Sequence, residues 1–190
     1  VVLPSPSTTR RRLLGNSVAG IPIVHALAQA HPNVLIILTG DQGYGELSRH
    51  GNPAVETPHT GRLHSRSVRL TGFHAAPMCT PARSQLMTGR DGLANGAHRV
   101  CPGESFIRPG IPAMAGIFGA AGFRTGILGK WRLGDNDPHR PADRGFQEAV
   151  HHSGWGAGCV PDPGNNDYFN DLSRHNGKLE RYSGCATGVW

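Results

Sequence analysis

Apolar positions along the chain form short runs that predict strands and helices in alternation. Residues 33–38 begin with Asn33 and continue as an unbroken run of Val, Leu and Ile, which predicts a buried parallel strand. Asp41 follows this run, where open α/β sheets place their ligands. Residues 68–73 alternate like a half-buried strand, and residues 124–128 predict another strand. The pattern therefore predicts an α/β fold with a polar site at the strand ends.

Helices are predicted between these runs. A short helix is expected at 58–63, and an Ala/Gly-rich helix at 111–121 that Gly122 ends. A third helix is expected to begin near Thr80, because Pro81 suits a first turn, where an amide proton has no partner. After Gly134 the richness in Gly, Pro, Asn and Asp predicts long surface loops around one or two short strands.

Residues 1–30 have the pattern of an export signal. Arg10, Arg11 and Arg12 precede an apolar region at 18–27, and Ala28-Gln29-Ala30 offers small residues for cleavage. This resembles a twin-arginine signal peptide, which predicts a periplasmic or extracellular protein with a mature part of residues 31–190. The apolar region is too short, and too interrupted, to insert stably into a membrane.

Charge and cysteine usage narrow the class of partner. The chain has 19 basic and 13 acidic residues; the leader holds three basic and no acidic ones, so 16 minus 13 leaves +3. The remaining arginines form no stripe with aromatics, which argues against a nucleic-acid partner, whereas the positive balance suits an anionic substrate. The four cysteines lack paired or zinc-type spacing, so no disulfide is deduced.

The most specific motif is Cys79-Thr80-Pro81-Ala82-Arg83, within a run that closes at Thr88-Gly89-Arg90. It resembles the C-x-P-x-R signature of type I, formylglycine-dependent sulfatases. The turn at Asp41-Gln42-Gly43, the segment 129–134 (GKWRLG) and the segment 140–146 are similar to further sulfatase motifs in the same order. The resemblance covers essentially all of the chain from Pro32 onward.

This resemblance implies an alkaline-phosphatase-like α/β sandwich with a mostly parallel central sheet. Residues 31–190 would form the N-terminal part of a sulfatase catalytic domain, and the chain looks truncated beside that family. The implied activity is hydrolysis of the sulfate ester of a small molecule or carbohydrate. The sequence leaves the particular ester open.

The resemblance also implies residue roles. A formylglycine-generating enzyme would convert Cys79, and a hydroxyl of the hydrated aldehyde would attack sulfur. Arg83 would hold that hydrate, Lys130 would bind a sulfate oxygen, and Asp41 with the modified Cys79 would be ligands of Ca²⁺. The helix prediction adds a physical reason, since a helix N-terminus favours anions and Arg83 lies one turn from Cys79.

Two positions depart from the family pattern. Gly40 stands where sulfatases have a second aspartate, and Arg132 stands where they have a histidine. Arginine stays protonated and so cannot accept a proton, although it can bind sulfate. We therefore expect slow turnover even in a completed, modified protein.

Two alternatives to a sulfuric ester hydrolase stay open. One is a truncated or degenerate sulfatase domain without turnover, and the other is a phosphonate or phosphate monoester hydrolase of the same superfamily. Of the histidines, His151 and His152 are interpreted as a loop pair instead of a metal pair, and His98 and His175 as solvated side chains.

Overall fold

The structure is a computed structural model that describes residues 2–3, 32–100, 105–157 and 168–189. These residues belong to two compact units. We call residues 37–108 the signature unit, and residues 1–36 together with 109–190 the sheet unit. The predicted cleavage site after Ala30, and all of the predicted export signal except residues 2–3, lie outside the described residues.

The signature unit is built from short helices. They are α1 (Pro58–His64), α2 (Cys79–Thr88) and α3 (Gly92–Asn95), preceded by a 3₁₀ turn at Ser48–His50. Pro58 opens α1 at the position that tolerates a missing N–H group. Gly89 ends α2 with φ 64°, and its N–H donates to the Gln85 carbonyl. The predictions of helices at 58–63 and from Thr80 onward are confirmed.

Among its described residues, the sheet unit carries a mixed sheet of five strands in the order β1-β2-β3-β4-β5. The elements of this unit are β1 (Val2–Leu3), α4 (Met114–Ala120), β2 (Arg124–Lys130), β3 (Glu148–His152), β4 (Leu172–His175), β5 (Lys178–Arg181) and α5 (Ala186–Val189). β2 and β3 are parallel, whereas the other three neighbouring pairs of the described strands are antiparallel. The expectation of a mostly parallel sheet therefore does not hold for these strands, since β4 and β5, for example, follow each other after a two-residue turn that only an antiparallel pair allows. The predicted strand at 124–128 and the predicted helix at 111–121 are confirmed, although the helix is shorter at both ends.

Buried aromatic and aliphatic side chains hold β2 and β3 in place. Trp131 is 1 % exposed and meets Phe146 edge to face, with ring centroids 5.7 Å apart. The indole N–H of Trp131 donates to the His139 carbonyl at 2.9 Å, so this buried polar group is satisfied. Ile127 and Ala149, which face each other across the parallel pair, are also buried.

Gly145 allows the turn before β3 to approach α4 closely. Its φ is +97°, and a Cβ atom there would lie 2.4 Å from the Gly116 nitrogen and 2.5 Å from the Gly116 Cα. Backbone cannot move aside as the end of a flexible side chain can. Both the conformation and the space therefore require glycine at 145.

Two strand predictions are wrong. Residues 33–38 form no strand beyond an isolated bridge at Val34, and Leu35 and Ile37 are 64 % and 77 % exposed. Residues 68–73 are likewise exposed and outside any strand. A strand needs a neighbour to pair its backbone groups, and no strand of the described residues pairs with either segment.

The segment after Gly134 is more ordered than predicted. It contributes three strands, β3, β4 and β5, instead of one or two, and β3 is buried along most of its length. Composition alone does not reveal this order because β3 is stabilised by pairing with β2 and β4. Within the described part of the chain, no helix combines the length and the apolar character that crossing a membrane requires.

Candidate active site

Cys79 is the first residue of α2, at the end where backbone N–H groups have no partner within the helix. The preceding Met78 is extended, and the first helical bond runs from the Ala82 N–H to the Met78 carbonyl at 3.1 Å. Cys79 is partly buried. Anions are favoured at such a helix end, so the thiol lies where a negatively charged group is stabilised.

Arg83 lies four residues after Cys79, and residues at this spacing share one face of a helix. Its exposure is only 9 %, so Arg83 is not a solvated arginine on the helix surface. A buried guanidinium is costly unless it is paired or hydrogen-bonded, so its burial indicates a specific role. The structure thus places a thiol and a buried cation on one face of α2.

A buried amide connects α2 to α3. The side-chain nitrogen of Asn95 lies within hydrogen-bond distance of the Ser84 hydroxyl, the Thr88 hydroxyl and the Arg90 carbonyl, at 3.0, 3.2 and 3.1 Å. Its side-chain oxygen accepts from the Ala97 N–H at 2.8 Å. Asn95 and Ser84 are both fully buried. This network orients the helix that carries Cys79. It could not be predicted from the sequence, because Asn95 belongs to no recognisable motif.

The sheet unit carries two further cationic candidates. Lys130 is the last residue of β2 and stands opposite His152 on β3. Arg132 follows in a left-handed conformation, with φ 67°, and its guanidinium carbon lies 4.7 Å from the centre of the Trp155 ring. The N–H of Gly154 donates to the Asp135 carboxylate at 2.9 Å. The segment after β3 is therefore attached to the segment after β2.

His151 and His152 lie on β3 and are both buried, so their interpretation as a loop pair is wrong. Their Nδ1 atoms face the carbonyls of His152 and Ser153, at 3.2 and 3.1 Å, and a carbonyl only accepts. Nδ1 therefore carries the proton in each ring. Burial lowers the pKa of both imidazoles below the ordinary value, which favours neutral rings at pH 7.

Comparison with known proteins agrees with these features. The sulfatase family model matches residues 32–183. This chain belongs to the sulfatase family. It is 37 % identical to human arylsulfatase G over 142 residues, which are 71 % of this chain and 26 % of that protein. It is 34 % identical to canine N-acetylgalactosamine-6-sulfatase over 155 residues, which are 75 % of this chain and 29 % of that protein.

A solved structure supports the fold. Ps i-CgsB, in complex with k-i-k-neocarrahexaose, superposes with a TM-score of 0.64 at 23 % identity, covering 78 % of this chain and 37 % of that one. The sulfatase chain therefore has part of an alkaline-phosphatase-like α/β fold, as predicted. It spans about a quarter of the length of the curated relatives it matches.

The candidate residues of this sulfatase chain fall into two groups. Asp41, Cys79 and Arg83 belong to the signature unit, whereas Lys130 and Arg132 belong to the sheet unit. Trp155, which contacts Arg132, was not among the candidates of the sequence analysis. The signal that marks it is one large aromatic residue within the Gly-rich segment 153–158.

Calcium, which sulfatases are expected to use, prefers six to eight oxygen ligands. Asp41 is an exposed residue with φ 56°, and the adjacent Gly40 offers no side-chain ligand. Among the described residues, no cluster of three or more His, Cys, Asp or Glu side chains is arranged to hold a metal ion. These residues therefore do not make up a calcium site by themselves.

Proposed function

We propose that this sulfatase chain takes part in the hydrolysis of sulfate esters, with the residue made from Cys79 as the nucleophile. The observation that carries the proposal is the position of Cys79 at the N-terminus of α2, one turn before the buried Arg83. A nucleophile beside a cation and a helix N-terminus suits attack on an anionic ester, because the substrate brings negative charge to that point.

Formylglycine is the form of Cys79 that the proposal requires, produced by a formylglycine-generating enzyme as a partner in maturation. The partly buried side chain of Cys79, at the first residue of α2, is the position that the proposal assigns to this modification. The group would supply a hydrated aldehyde whose hydroxyl attacks sulfur. Arg83 would orient this hydrate through its planar set of N–H donors.

Lys130 and Arg132 are proposed to bind sulfate oxygens. Lys130 ends β2, where a buried strand opens into a turn, and ligands of α/β proteins bind at such strand ends. Arg132 offers a permanent positive charge and several donors, but it cannot accept a proton. We therefore expect Arg132 to contribute to binding and not to proton transfer.

A sulfated carbohydrate is the proposed substrate class. Canine N-acetylgalactosamine-6-sulfatase, by its name, acts on a sulfated sugar, and Ps i-CgsB was solved in complex with k-i-k-neocarrahexaose. Export is part of the same proposal, supported by the arginine-rich start of the chain and its apolar region. Asp41 is the proposed metal ligand of the chain, and calcium would need oxygen ligands beyond those of the described residues.

The experiment that tests this function is co-expression with a formylglycine-generating enzyme, followed by intact mass and peptide mapping. Turnover of p-nitrophenyl sulfate and of N-acetylgalactosamine 6-sulfate is then measured with and without calcium. We expect conversion at Cys79 and turnover that Cys79→Ala abolishes. Cys185→Ala, which removes an exposed cysteine, is the matched control and should leave turnover unchanged.

Two outcomes contradict the proposal at different points. An unconverted Cys79 rejects its role as the precursor of the nucleophile. Full conversion without turnover on either substrate rejects ester hydrolysis by this chain, while leaving the modification intact. The two results separate the nucleophile from the groups that complete the site.

A further inference from the structure

Trp155 contacts the one proposed sulfate-binding residue that departs from the sulfatase pattern. The guanidinium carbon of Arg132 lies 4.7 Å from the centre of its ring, within the range of a cation–π contact. Trp155 is 44 % exposed, whereas Arg132 is partly buried. The Trp155 ring therefore contacts the guanidinium of Arg132, while another part of the ring faces solvent.

The segment that carries Trp155 is anchored on both sides of the ring. Before it, the Arg174 Nε donates to the Ser153 hydroxyl at 3.0 Å, and the Gly154 N–H donates to the Asp135 carboxylate at 2.9 Å. Asp135 lies three residues after Arg132, so this bond ties the Trp155 segment to the arginine's own turn. After the ring, Ala157 is buried. Hydrogen bonds and burial thus fix the segment that carries Trp155, so its contact with Arg132 is not a chance approach of a surface side chain.

The contact suits a binding role for Arg132. A cation–π contact is electrostatic and uses no hydrogen-bond donor, so it holds a guanidinium without consuming the N–H groups that an anion needs. Arg132 also has φ 67°, a conformation that costs free energy for a residue with a side chain. An attractive contact at that side chain helps to offset this cost.

We infer that Trp155 is a positioning residue that holds the Arg132 guanidinium for an anionic sulfate group, so that the two form an aromatic–cation subsite. The inference rests on the proposed role of Arg132 in sulfate binding. It adds a residue from the segment after β3 to the site. It also explains how an arginine is accommodated at this position, since the neighbouring ring provides a contact that a guanidinium uses well.

The test is calorimetric titration of the folded chain with sodium sulfate, against sodium chloride at matched ionic strength. The variants are Trp155→Ala, Trp155→Phe, Arg132→Gln and the double variant with Trp155→Ala and Arg132→Gln. We expect Trp155→Ala to weaken sulfate affinity by about three- to ten-fold, and Trp155→Phe to restore most of it. The double variant should bind no more weakly than Arg132→Gln, because the ring acts only through the arginine.

A spectroscopic readout and a control separate positioning from a merely structural effect. The contribution of Trp155 to the fluorescence is the difference between a protein that has Trp155 and the same protein with Trp155→Phe. This difference should change when Arg132→Gln is present in both proteins, even without sulfate. Tyr168→Ala removes another half-exposed aromatic of the same unit, at 48 % exposure, and should leave affinity unchanged. Circular dichroism identifies any variant that fails to fold. If Trp155→Ala fails to fold, the sulfate affinity of Trp155→Phe is compared with that of the wild type instead.

The outcomes distinguish this inference from the proposed function. If the wild type does not bind sulfate more tightly than chloride, the proposed sulfate-binding role of Arg132 fails first. If sulfate binds and Arg132→Gln weakens it, but Trp155→Ala does not, then Arg132 binds without Trp155 and the inference is wrong. Additive losses in the double variant would also overturn it, because they would show that the ring acts independently of the arginine.

Discussion

At the scale of single residues, the helix that carries Cys79 depends on a buried amide outside every motif. Asn95 uses both ends of its side chain to connect α2 with the turn after α3, and it is fully buried. The hydroxyl of Ser84, which is a partner of Asn95, also lies 3.0 Å from the carbonyl oxygens of Pro81 and Ala97. A buried network of this kind stabilises one arrangement only while every member stays satisfied.

Asn95→Ala should lower the free energy of unfolding by about 2–3 kcal/mol, because it removes the acceptor of the buried Ala97 N–H and the bonds to the Ser84 and Thr88 hydroxyls. The measurement is urea unfolding followed by circular dichroism. Asn33→Ala is the control, since Asn33 is exposed, and should change stability by less than about 0.5 kcal/mol. Equal stability of the Asn95→Ala variant and the wild type would show that the network does not support α2.

Gly145 gives a second prediction at this scale. Gly145→Ala should cost about 2–4 kcal/mol of stability, because it combines a positive φ with overlap against the Gly116 backbone. Gly110→Ala has a similar φ of +80° and no atom within 4 Å of the added Cβ, so it should cost about 1 kcal/mol. The difference between their unfolding midpoints measures the steric part alone. Equal losses would mean that α4 moves aside at little cost.

At the scale of elements, one histidine links three strands. His175 on β4 faces Glu148 on β3 through Nε2, and Glu180 on β5 through Nδ1 at 2.9 Å. It is therefore not the purely solvated side chain that the sequence predicted. Hydrogen bonds to Glu180 and Glu148 raise the pKa of His175, and the bond to His175 lowers the pKa of each glutamate. Further polar and charged neighbours of this cluster are Arg124, Asn176, Lys178 and Tyr182.

This cluster predicts a pH-dependent stability. A raised folded pKa means that the contribution of His175 is present below 6.5 and is lost as pH rises through the folded value. The lowered pKa values of the glutamates mean that their contribution is present above 4.5 and is lost as pH falls through the folded values. The stabilisation should therefore be greatest between these two values. It should be modest, since all three side chains are partly exposed.

The test compares the Tm of the wild type with that of His175→Gln from pH 5 to pH 8.5. We expect the wild type to be more stable near pH 5.5 and the difference to shrink toward pH 8.5. The difference between wild type and variant is used because the buried His151 and His152 give stability the opposite pH dependence. Their pKa values are lowered, so their contribution to stability is lost as the pH falls. His98→Gln, at an exposed histidine, is the control. A difference that is constant across pH would show that His175 acts only through packing.

At the scale of the whole molecule, the exposed apolar side chains of the signature unit stand out. Val68, Leu70 and Phe73 are 89 %, 70 % and 72 % exposed, although their alternation is typical of a half-buried strand. Clustered exposure of large apolar side chains favours association with other apolar surfaces.

We therefore expect the isolated chain to self-associate as its concentration rises, as measured by sedimentation velocity. The double variant Val68→Thr with Leu70→Gln should shift the distribution toward the monomer and reduce binding of an apolar fluorescent dye. Leu93→Gln, which changes a similarly exposed residue on α3, is the control and should have a smaller effect. Unchanged association in the double variant would exclude the segment 68–73 as its cause.

Helices with local signals were predicted well from the sequence. Pro81 marks the start of α2 through a property of its own backbone, and the spacing of Cys79 and Arg83 places them on one face. The strand at 33–38 was predicted wrongly for the opposite reason. A run of apolar residues indicates that a segment can be buried, but burial and pairing depend on neighbours that are distant in sequence.

The sequence by itself determined the family, the helix that carries Cys79, and the types of side chain that can do chemistry, because motifs and caps depend on residues only a few positions apart. The tertiary structure decided the burial of Arg83, the Asn95 network, and the contacts of Arg132 with Trp155 and of His175 with two carboxylates. These contacts join residues up to 27 positions apart, from Glu148 to His175. Only folding brings such residues together, because the intervening chain must first lose its conformational freedom.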